Sequence, residues 1–599
     1  MTAEPPRSRA RSARRGAHRR SGLPRYSRRR VTVMLVVAAL AFTAIAGKLT
    51  VVQLLDASTY QKTAESQDIR SVVLPAVRGS ILAANGDELA FSEMRPTIFA
   101  DPGEITAVST EASVLARVLH QPVATLESDL LERTTYVVLA TATSSAVATK
   151  VASLGLPGIG VEQLPVRYHP DGNLAAPLLG AIDAAGNGVS GLEYEYNRYL
   201  TGHPGELVTV VDPEGQPVPG GTIHEQPALP GGDVLTTIDP GLEYQVEQTL
   251  AADLRRTGGD WATAVVEDVH TGAILAVSDL VAGPNHTAVP ASSATAFTHV
   301  YEPGSVAKLV TVSGALTHHV ITPTTVLNIP PALLVNGTYI RDAEAHPDEQ
   351  LSITGVLAQS SNIGATEIAQ RLGAANLLHY EHAYGFGRMV VPGFPGESAG
   401  LVPTLSQFSG TTLATLAFGE AQAVTPVQLA GAYAAIADGG VYHTPHVVGA
   451  LVGPHGHRHA VPLPAPHRVV PAWVASAMTP MFEQVVSSGT GPNAQVHGYA
   501  IAGKTGTSNI ILPDGQYSLT RTDATFAGYY PAQHPELAAV VVVEGSKMYG
   551  AQAAAPAFSE IARDAILDFG IPSYGPQPAP ADTSVPTIDG KVETSLLGY

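Results

Sequence analysis

A long apolar segment near the N-terminus places the strongest constraint on how this chain can fold. Residues 31–47 (VTVMLVVAALAFTAIAG) carry no charge, and beyond Lys48 the run LTVVQLL continues to residue 55. Twenty-five helical residues reach about 37 Å, enough to cross a hydrocarbon core of about 30 Å with some tilt. Residues 31–55 are therefore predicted to form a transmembrane helix.

The charges around this segment predict its orientation. Residues 1–30 contain eleven arginines and one acid, Glu4, which gives +10, so the net charge of −18 leaves −28 for the other 569 residues. Arginine-rich flanks stay on the cytoplasmic side of a membrane, so the main body is predicted to lie outside. A signal-peptidase site at residues 44–46 and a twin-arginine signal at residues 27–29 are alternatives that export the same body.

Length and composition predict a globular protein of several domains. The chain has 599 residues, of which 45% are hydrophobic and 14% charged, and the absence of cysteine excludes disulfides, thiolate metal sites and a cysteine-linked lipid anchor. The predicted divisions are a cytoplasmic tail (1–30), the transmembrane helix (31–55), a mixed α/β domain (57–211), a Pro/Gly-rich connector (212–233), a larger α+β domain (234–570) and a disordered Pro-rich tail (571–599).

The larger domain shows strand patterns at its two ends and helical patterns between them. Two strands are predicted in residues 261–280, and three more in residues 498–508, 524–532 and 536–545. About 200 residues of mostly helical pattern separate the two groups. We therefore expect a five-stranded antiparallel sheet flanked by helices, together with an all-helical lobe.

Two of the chain's rare lysines mark a candidate active site. The chain has 27 arginines and seven lysines, and only Lys308 and Lys504 fall between Lys150 and Lys547. In YEPGSVAKLV, Ser305 precedes Lys308 by three residues at a predicted helix start, so the hydroxyl and the amine share one face. A lysine in apolar surroundings can be a neutral base near pH 7, which an arginine cannot. The alternative is a capping serine beside a surface lysine.

The second lysine lies in a motif suited to binding a carboxylate. Lys504 begins KTGT in AGKTGTS, where Thr505 and Thr507 offer hydroxyl and backbone donors at a strand edge. Gly506 leaves room for a ligand to approach the backbone. The alternative is a solvated strand end.

A third motif lies between the other two. In LAQSSNIGATEIAQ, Ser360 and Asn362 lie at a predicted helix start, where a hydroxyl can pass a proton and an amide can hold a peptide group. An ordinary helix cap is the alternative, since serine and asparagine both favour that position.

Together the three motifs resemble those of the penicillin-binding proteins. S-x-x-K, S-x-N and K-T-G occur in that family and in serine β-lactamases. YEPGSVAK, SSNIGA, PGESAG, TPVQLAGAYAAIADGG and GYAIAGKTGTS resemble the transpeptidase domain of class B, monofunctional members. RGSILAANGDELA, LPGIGVEQLPVRYHPDGNLAAPLLGAID and GLEYEYNRYLTGHPGE resemble their N-terminal pedestal, or dimerisation, domain, so the likeness covers residues 31–570. It departs at Ala83 and Ala84, where the family usually has Asp-Arg.

The resemblance implies a serine-type peptidoglycan D,D-transpeptidase of the division or elongation type, which cross-links stem peptides and is acylated by β-lactams. Ser305 would attack the D-Ala–D-Ala amide and form an acyl-enzyme, with Lys308 taking its proton. Ser360 would relay a proton to the departing D-Ala, and Asn362 would hold the donor's side-chain amide.

The resemblance also implies roles for the strand motif and the partners. Lys504 would keep the local potential positive, Thr505 and Thr507 would bind the terminal carboxylate beside Gly506, and the N–H groups of Ser305 and Thr507 would form the oxyanion hole. No metal or organic cofactor is implied. The expected partners are glycan strands derived from lipid II, β-lactams, the membrane and a membrane glycan polymerase, without nucleic acid.

Other interpretations remain open at this point. The 155 residues of 57–211 are too few for the glycosyltransferase domain of a bifunctional, class A enzyme. A β-lactam hydrolase or sensor shares the motifs but seldom the pedestal or the anchor, and a penicillin-binding scaffold would not need an intact set of site residues.

The segment HGHRH at residues 455–459 has no nearby acidic partner and is predicted to be a loop rather than a metal site. Arg78 and Glu193 either pair at the domain junction or are unrelated surface charges.

Overall fold

The computed structural model describes residues 25–51, 69–211, 217–512, 514–580, 587–588 and 591–592. The chain divides into two compact units, Met1–Leu74 with Glu206–Pro227 and Pro75–Gly205 with Ala228–Tyr599. Of the predicted cytoplasmic tail, only residues 25–30 are described. The prediction of a disordered tail from residue 571 is wrong for residues 571–580, because the Gln577 side chain accepts the N–H of Ile501 at 2.7 Å and donates to its carbonyl at 3.0 Å.

The first unit contains the helix Arg25–Thr50. Within it, Arg29–Thr50 has a mean hydropathy of 2.0, and among the described residues it is the one helix long and apolar enough to cross a membrane. The helix includes residues 25–30 because arginine is a good helix former. Residues 52–55, the end of the predicted transmembrane segment, lie outside the described residues.

The first unit also contains a three-stranded sheet in the order Ile69–Leu74, Gly205–Val211, Pro217–Gln226. The strand Pro217–Gln226 falls within the segment predicted as a connector and pairs antiparallel with Gly205–Val211. Its prolines and glycines are typical of turns, but a strand at the edge of a sheet tolerates proline because its outer N–H groups need no partner. Residues 212–216 of the connector lie outside the described residues.

A seven-stranded sheet spans the second unit's pedestal and part of its larger domain. Its longest strand, Glu88–Ala100, is antiparallel to both Val137–Ala140 and Ile159–Tyr168. The segment at residues 455–459 forms the turn before the edge strand Arg458–Ala460 and the start of that strand. The order is Arg458–Ala460, Val448–Val452, Asp233–Thr236, Ile81–Leu82, Glu88–Ala100 and Val137–Ala140, with Ile159–Tyr168 on the other side of Glu88–Ala100.

A buried ion-pair network fixes the pedestal end of this sheet. Arg78 Nε donates to Glu193 Oε2 at 2.6 Å, and Arg167 Nε donates to Glu193 Oε1 at 2.7 Å. Arg78 also donates to the Asn197 side chain at 2.7 Å and to the Thr201 hydroxyl at 2.9 Å. The Arg78–Glu193 pair is thus confirmed, but it is buried rather than exposed, and the sequence did not indicate Arg167 as a second partner.

Glu193→Gln is expected to lower the free energy of unfolding by about 3–5 kcal/mol, because it leaves two buried guanidinium groups without their shared anion. Thermal unfolding of the full chain in detergent measures the loss. Glu132→Gln, at an exposed pedestal position, is the matched control. Equal unfolding midpoints for the two variants would show that the network contributes nothing to stability.

The larger domain is built on a six-stranded antiparallel sheet. Its order is Ala288–Pro290, Ile274–Ala282, Trp261–Asp268, Leu537–Ser546, Tyr517–Tyr530 and Ala502–Ile511. Five of these strands match the five predicted from the sequence. The sixth, the edge strand Ala288–Pro290, was missed because three residues are too few to show an alternating pattern.

The central strand Leu537–Ser546 contributes to two separate hydrophobic cores. Val540 and Val542 pack into the larger core, which includes the central helix Pro426–Ala437. Val541 and Val543 face the opposite core. Both faces are covered by helices, which explains why the run AAVVVV is apolar without alternation.

Helices and short hairpins make up the rest of the second unit. The pedestal helices are Val108–Leu119, Val123–Leu130, Ser145–Ser153, Ala176–Leu179, Gly191–Glu195 and Asn197–Leu200. The larger domain has helices Pro240–Thr257, Thr295–Thr298, Lys308–Thr317, Ile353–Ala358, Asn362–Leu372, Ala374–Ala383, Thr412–Leu416, Pro426–Ala437, Ala472–Ser487 and Ala554–Asp568. Its short strand pairs are Val326–Ile329 with Glu349–Ser352, Leu333–Val335 with Thr338–Ile340, and Val441–Tyr442 with His467–Arg468.

Candidate active site

Ser305 lies in the 3₁₀ turn Gly304–Ala307, which leads into the helix Lys308–Thr317. The predicted contact is present, with Lys308 Nζ at 3.0 Å from Ser305 Oγ. The hydroxyl of Tyr433, on the central helix, donates to the carbonyl of Val306 at 3.0 Å and fixes the position of this turn. The half-buried serine is therefore presented at a fixed helix start.

Lys308 has a fully buried side chain surrounded by oxygen atoms. Its Nζ lies 2.5 Å from the carbonyl oxygen of Ser360 and 2.9 Å from Asn362 Oδ1. Burial lowers the pKa of Lys308 to about 7, although the carboxylates of Asp342 and Glu420 oppose this. At neutral pH a large fraction of this amine is therefore uncharged and able to accept a proton.

The turn that carries the second serine has an unusual backbone. Ser360 has a φ of +62°, in the left-handed region that a residue other than glycine seldom occupies. Its carbonyl contacts Lys308, and its hydroxyl lies 3.3 Å from Lys308 Nζ and 2.9 Å from Lys504 Nζ. Ser361 is the helix cap, since its hydroxyl accepts from the N–H of Gly364 at 2.9 Å. Ser360 is thus free of the capping role and bridges the two lysines.

Lys504 occupies the strand Ala502–Ile511 and is also fully buried. Besides Ser360, its Nζ contacts the carbonyl oxygen of Thr505 at 3.1 Å and the hydroxyl of Thr490 at 3.5 Å. Burial, followed by the charge of Lys308, lowers the pKa of Lys504 well below its usual range. Thr490, whose hydroxyl lies 2.5 Å from that of Thr505, was not predicted, because its sequence surroundings SSGTGPN carry no sign of a site.

The strand bearing the K-T-G motif packs tightly against the serine turn. A Cβ atom at Gly506 would lie 2.6 Å from the carbonyl oxygen of Pro303, so a larger residue would separate the two segments. The hydroxyl of Ser508 donates to the carbonyl of Glu302 at 2.6 Å. Thr507, whose hydroxyl accepts from the N–H of Gly550 at 3.0 Å, is thereby held beside the serine turn.

Acidic residues that the sequence analysis missed surround this cluster. Asp342 accepts the N–H groups of Asn362 (2.6 Å) and Ile363 (2.9 Å), which orients the asparagine towards Lys308. Glu420 follows Gly419, whose carbonyl accepts the N–H of Gly304. Burial raises the pKa of Glu420 to about 7, with the charge of Glu302 adding to the rise. These residues come from distant loops, so their spacing in the sequence carries no signal.

The structure brings all eight predicted site residues into one region of the second unit. Proteins that set a buried lysine beside a helix-start serine, opposite a Lys-Thr-Gly strand, form the class of penicillin-binding proteins and serine β-lactamases. The antiparallel sheet with helices on both faces and the site itself place the chain in this class.

Comparison with known proteins narrows the class to one family. The family described as "Penicillin binding protein transpeptidase domain" matches residues 262–563, and "Penicillin-binding Protein dimerisation domain" matches residues 73–236. The chain therefore belongs to the penicillin-binding proteins, and its pairing of a dimerisation domain with a transpeptidase domain is that of class B. The resemblance expected from the sequence motifs is confirmed.

Individual relatives support this assignment. The chain is 32% identical to "Penicillin-binding protein PbpB" of Mycobacterium tuberculosis over 85% of this chain and 80% of the relative. It is 31% identical to "Peptidoglycan D,D-transpeptidase FtsI" of Escherichia coli K12 over 88% of this chain and 89% of the relative. The crystal structure of penicillin-binding protein 3 of M. tuberculosis with aztreonam is similar with a TM-score of 0.66 at 29% identity, over 84% of this chain and 99% of that one.

Proposed function

We propose that this protein is a serine-type peptidoglycan D,D-transpeptidase that cross-links stem peptides through an acyl-enzyme on Ser305. The observation that carries the proposal is the fully buried amine of Lys308 at 3.0 Å from Ser305 Oγ. A hydroxyl beside an uncharged amine is an activated nucleophile. β-Lactams, which mimic the D-Ala–D-Ala amide, are proposed to acylate the same oxygen.

In the acylation step, Ser305 gives its proton to Lys308 as Oγ attacks the carbonyl carbon of the penultimate D-Ala. The developing oxyanion is received by the backbone N–H groups of Ser305 and Thr507. The close approach of Thr507 to the serine turn supports this role, since a Cβ atom at Gly304 would lie 2.9 Å from the Thr507 carbonyl oxygen. Preorganised donors of this kind stabilise the transition state because they need not reorient during the reaction.

In the departure of D-Ala, Ser360 passes a proton to the leaving nitrogen. Its hydroxyl lies within 3.3 Å of both lysine amines, so a proton taken by Lys308 has a short path through it. The side-chain oxygen of Asn362 is engaged by Lys308. Its NH₂ group is therefore the part proposed to hold the side-chain amide of the donor peptide.

The terminal carboxylate of the donor is proposed to bind at Lys504, Thr505 and Thr507. Gly506 does not open the strand to a ligand, as expected from the sequence, but lets the strand pack directly against the serine turn. Burial and the charge of Lys308 keep the pKa of Lys504 low, so the positive potential expected from the sequence is not a fixed property. An arriving carboxylate favours the charged amine. We therefore infer that Lys504 gains its proton as the substrate binds.

Capture of labelled benzylpenicillin by the full chain, with peptide mapping, tests the proposed function. The label is expected on Ser305, to be lost in Ser305→Ala and to form more slowly in Ser360→Ala, which keeps the nucleophile. An adduct lasting minutes to hours fits a transpeptidase, whereas release within seconds would indicate a hydrolase. Full growth and cross-linking with Ser305→Ala would instead indicate a scaffold.

The membrane arrangement is part of the same proposal. The N-terminal helix anchors the protein, residues 1–30 are proposed to be cytoplasmic, and the second unit is proposed to lie outside, where it meets glycan strands and a membrane glycan polymerase. Because the chain has no cysteine, single replacements report topology cleanly. The test uses cells whose cytoplasmic membrane is sealed and whose outer surface the reagent can reach. A membrane-impermeant maleimide is expected to label Glu560→Cys but not Ser8→Cys. The reverse pattern would overturn the orientation.

A further inference from the structure

The second unit contains a cavity that the proposed catalytic site does not use. Its volume is about 270 Å³, and none of the eight site residues lines it. The walls come from ten residues between His382 and Glu397, from Tyr442 and Thr444, and from Pro464 and His467. Ligand pockets in proteins usually have volumes of about 300–1,000 Å³, so this cavity suits a molecule of amino-acid size.

Glu397 presents one unpaired carboxylate oxygen at the cavity wall. Its Oε1 atom accepts the N–H groups of Val390 (2.5 Å) and Val391 (3.0 Å), which fixes the side chain. The residue is only 8% exposed, yet its Oε2 atom finds no hydrogen-bond partner among the described residues. A buried carboxylate oxygen is costly to leave without a donor, so Oε2 is positioned to receive one from a ligand.

The hydroxyl of Tyr442 is a second unpaired group at the same cavity. Tyr442 is 4% exposed, and its hydroxyl also lacks a partner among the described residues. A Cβ atom at Gly385 would lie 2.8 Å from this oxygen, so glycine makes room for it. Buried tyrosine hydroxyls usually find a partner. An occupant of the cavity that contacts both oxygens would therefore relieve the cost of burying them.

A positive charge lines the same cavity at its exposed side. Arg388 is exposed, and the ion pairs of the described residues include none between its guanidinium and Glu397. Burial raises the pKa of Glu397 to about 7, so its carboxyl is fully charged only where a cation lies beside it. Met389, Val390 and Val391 supply apolar surface beside these two side chains. An occupant that satisfies these walls carries a cation at one end and an anion at the other.

We propose that this cavity is a second ligand site, which binds a free amino acid with its ammonium group on Glu397 and Tyr442 and its carboxylate on Arg388. The planar fork of arginine matches a carboxylate with two parallel hydrogen bonds. An ammonium group supplies three donors, enough for the free oxygen of Glu397 and for the oxygen of Tyr442. This site is independent of the proposed roles of Ser305 and Lys308.

The position of the site suggests how an occupant would affect the fold. The loop of residues 385–397 lines the cavity. Near one end of this loop, a Cβ atom at Gly393 would lie 3.5 Å from the Tyr196 hydroxyl of the pedestal. At the other end, Gln428 on the central helix donates to the carbonyl of Arg388 at 2.7 Å. A bound amino acid would therefore brace the loop between the pedestal and the helix that supports the serine turn.

Equilibrium dialysis of the detergent-solubilised full chain with radiolabelled D-alanine or L-alanine tests the proposal. We expect saturable binding of at least one enantiomer that persists after the protein has been treated with benzylpenicillin. Isopropylamine, which lacks the carboxylate, and propionate, which lacks the ammonium group, are expected to compete at least about tenfold more weakly. Arg388→Ala and Glu397→Gln are each expected to weaken binding by about tenfold or more.

Two matched variants and a check on folding make the result decisive. Glu397→Gln keeps an oxygen for Val390 and Val391, and Arg388 is exposed, so both variants should retain the wild-type unfolding midpoint. Arg255→Ala, at an exposed arginine, and Glu483→Gln, at a buried glutamate, should retain alanine binding. The proposal is overturned by lack of saturable binding, by binding that Arg388→Ala leaves unchanged, or by binding that penicillin abolishes. Absence of penicillin labelling would count against the proposed transpeptidase and not against this site.

Discussion

Replacing Lys308 with arginine is expected to lower the rate constant for acylation by benzylpenicillin by about 10²–10⁴-fold, the usual contribution of a general base. Arginine stays protonated and so cannot take the proton of Ser305. Lys308→Met should cause a similar loss without adding volume to a site where the lysine is fully buried. A time course of labelling with a fluorescent penicillin, quenched at successive times, measures both rate constants.

The control for this prediction is the same lysine-to-arginine replacement at a position away from the site. Lys150→Arg, at an exposed position on a pedestal helix, should acylate at the wild-type rate. The unfolding midpoint of each variant is measured beside its rate, and a rate loss in a variant that keeps the wild-type midpoint is a chemical loss rather than misfolding. An unchanged rate in Lys308→Met would show that another group accepts the serine proton.

The pH dependence of wild-type acylation follows from the same amine. Burial lowers the pKa of Lys308 to about 7, and the base is active only when uncharged. The acylation rate constant should therefore rise as the pH increases through about 7 and level off above it. Because Lys308 and Lys504 interact, the observed midpoint belongs to the pair. A rate that falls over this interval would contradict the assignment of a neutral lysine base.

Contacts within one helical turn could be predicted from the sequence alone. Ser305 and Lys308 are three residues apart at a helix start, so their contact follows from helical geometry. The five main strands were also predictable, because long apolar runs bounded by turns are local signals. The strand Pro217–Gln226 was assigned to a connector because local composition outweighed the neighbouring strand that pairs with it.

Contacts between distant segments could be predicted only through the family resemblance. The spacing of the motifs does not predict that Lys504 Nζ lies 2.9 Å from the Ser360 hydroxyl, because Lys504 comes from the sheet and Ser360 from the turn between two helices. Thr490 and Asp342 escaped prediction altogether, since neither belongs to a recognised motif. Their contributions depend on the packing of loops around the site, which sequence periodicity does not report.

Gly304→Ala is expected to lower the acylation rate constant by about 10²–10³-fold, comparable to the loss of one oxyanion-hole donor. Gly304 has a φ of +60°, and an added Cβ atom would lie 2.9 Å from the carbonyl oxygen and 3.3 Å from the nitrogen of Thr507. Because backbone atoms cannot move aside as a flexible side chain does, the serine turn must separate from the strand Ala502–Ile511. The two N–H groups proposed to receive the oxyanion would then no longer converge.

A matched glycine separates this effect from backbone strain. Gly439 has a φ of +61°, and among the described residues other than its two chain neighbours, none has an atom within 4 Å of a Cβ atom built there. Gly439→Ala should therefore carry the same cost of a left-handed alanine, about 1 kcal/mol, without pushing any segments apart. Acylation rates measured by penicillin labelling should fall in Gly304→Ala and stay near wild type in Gly439→Ala. Equal rates in the two variants would mean that the spacing between the serine turn and the K-T-G strand does not control acylation, and the proposed oxyanion hole would have to be placed elsewhere.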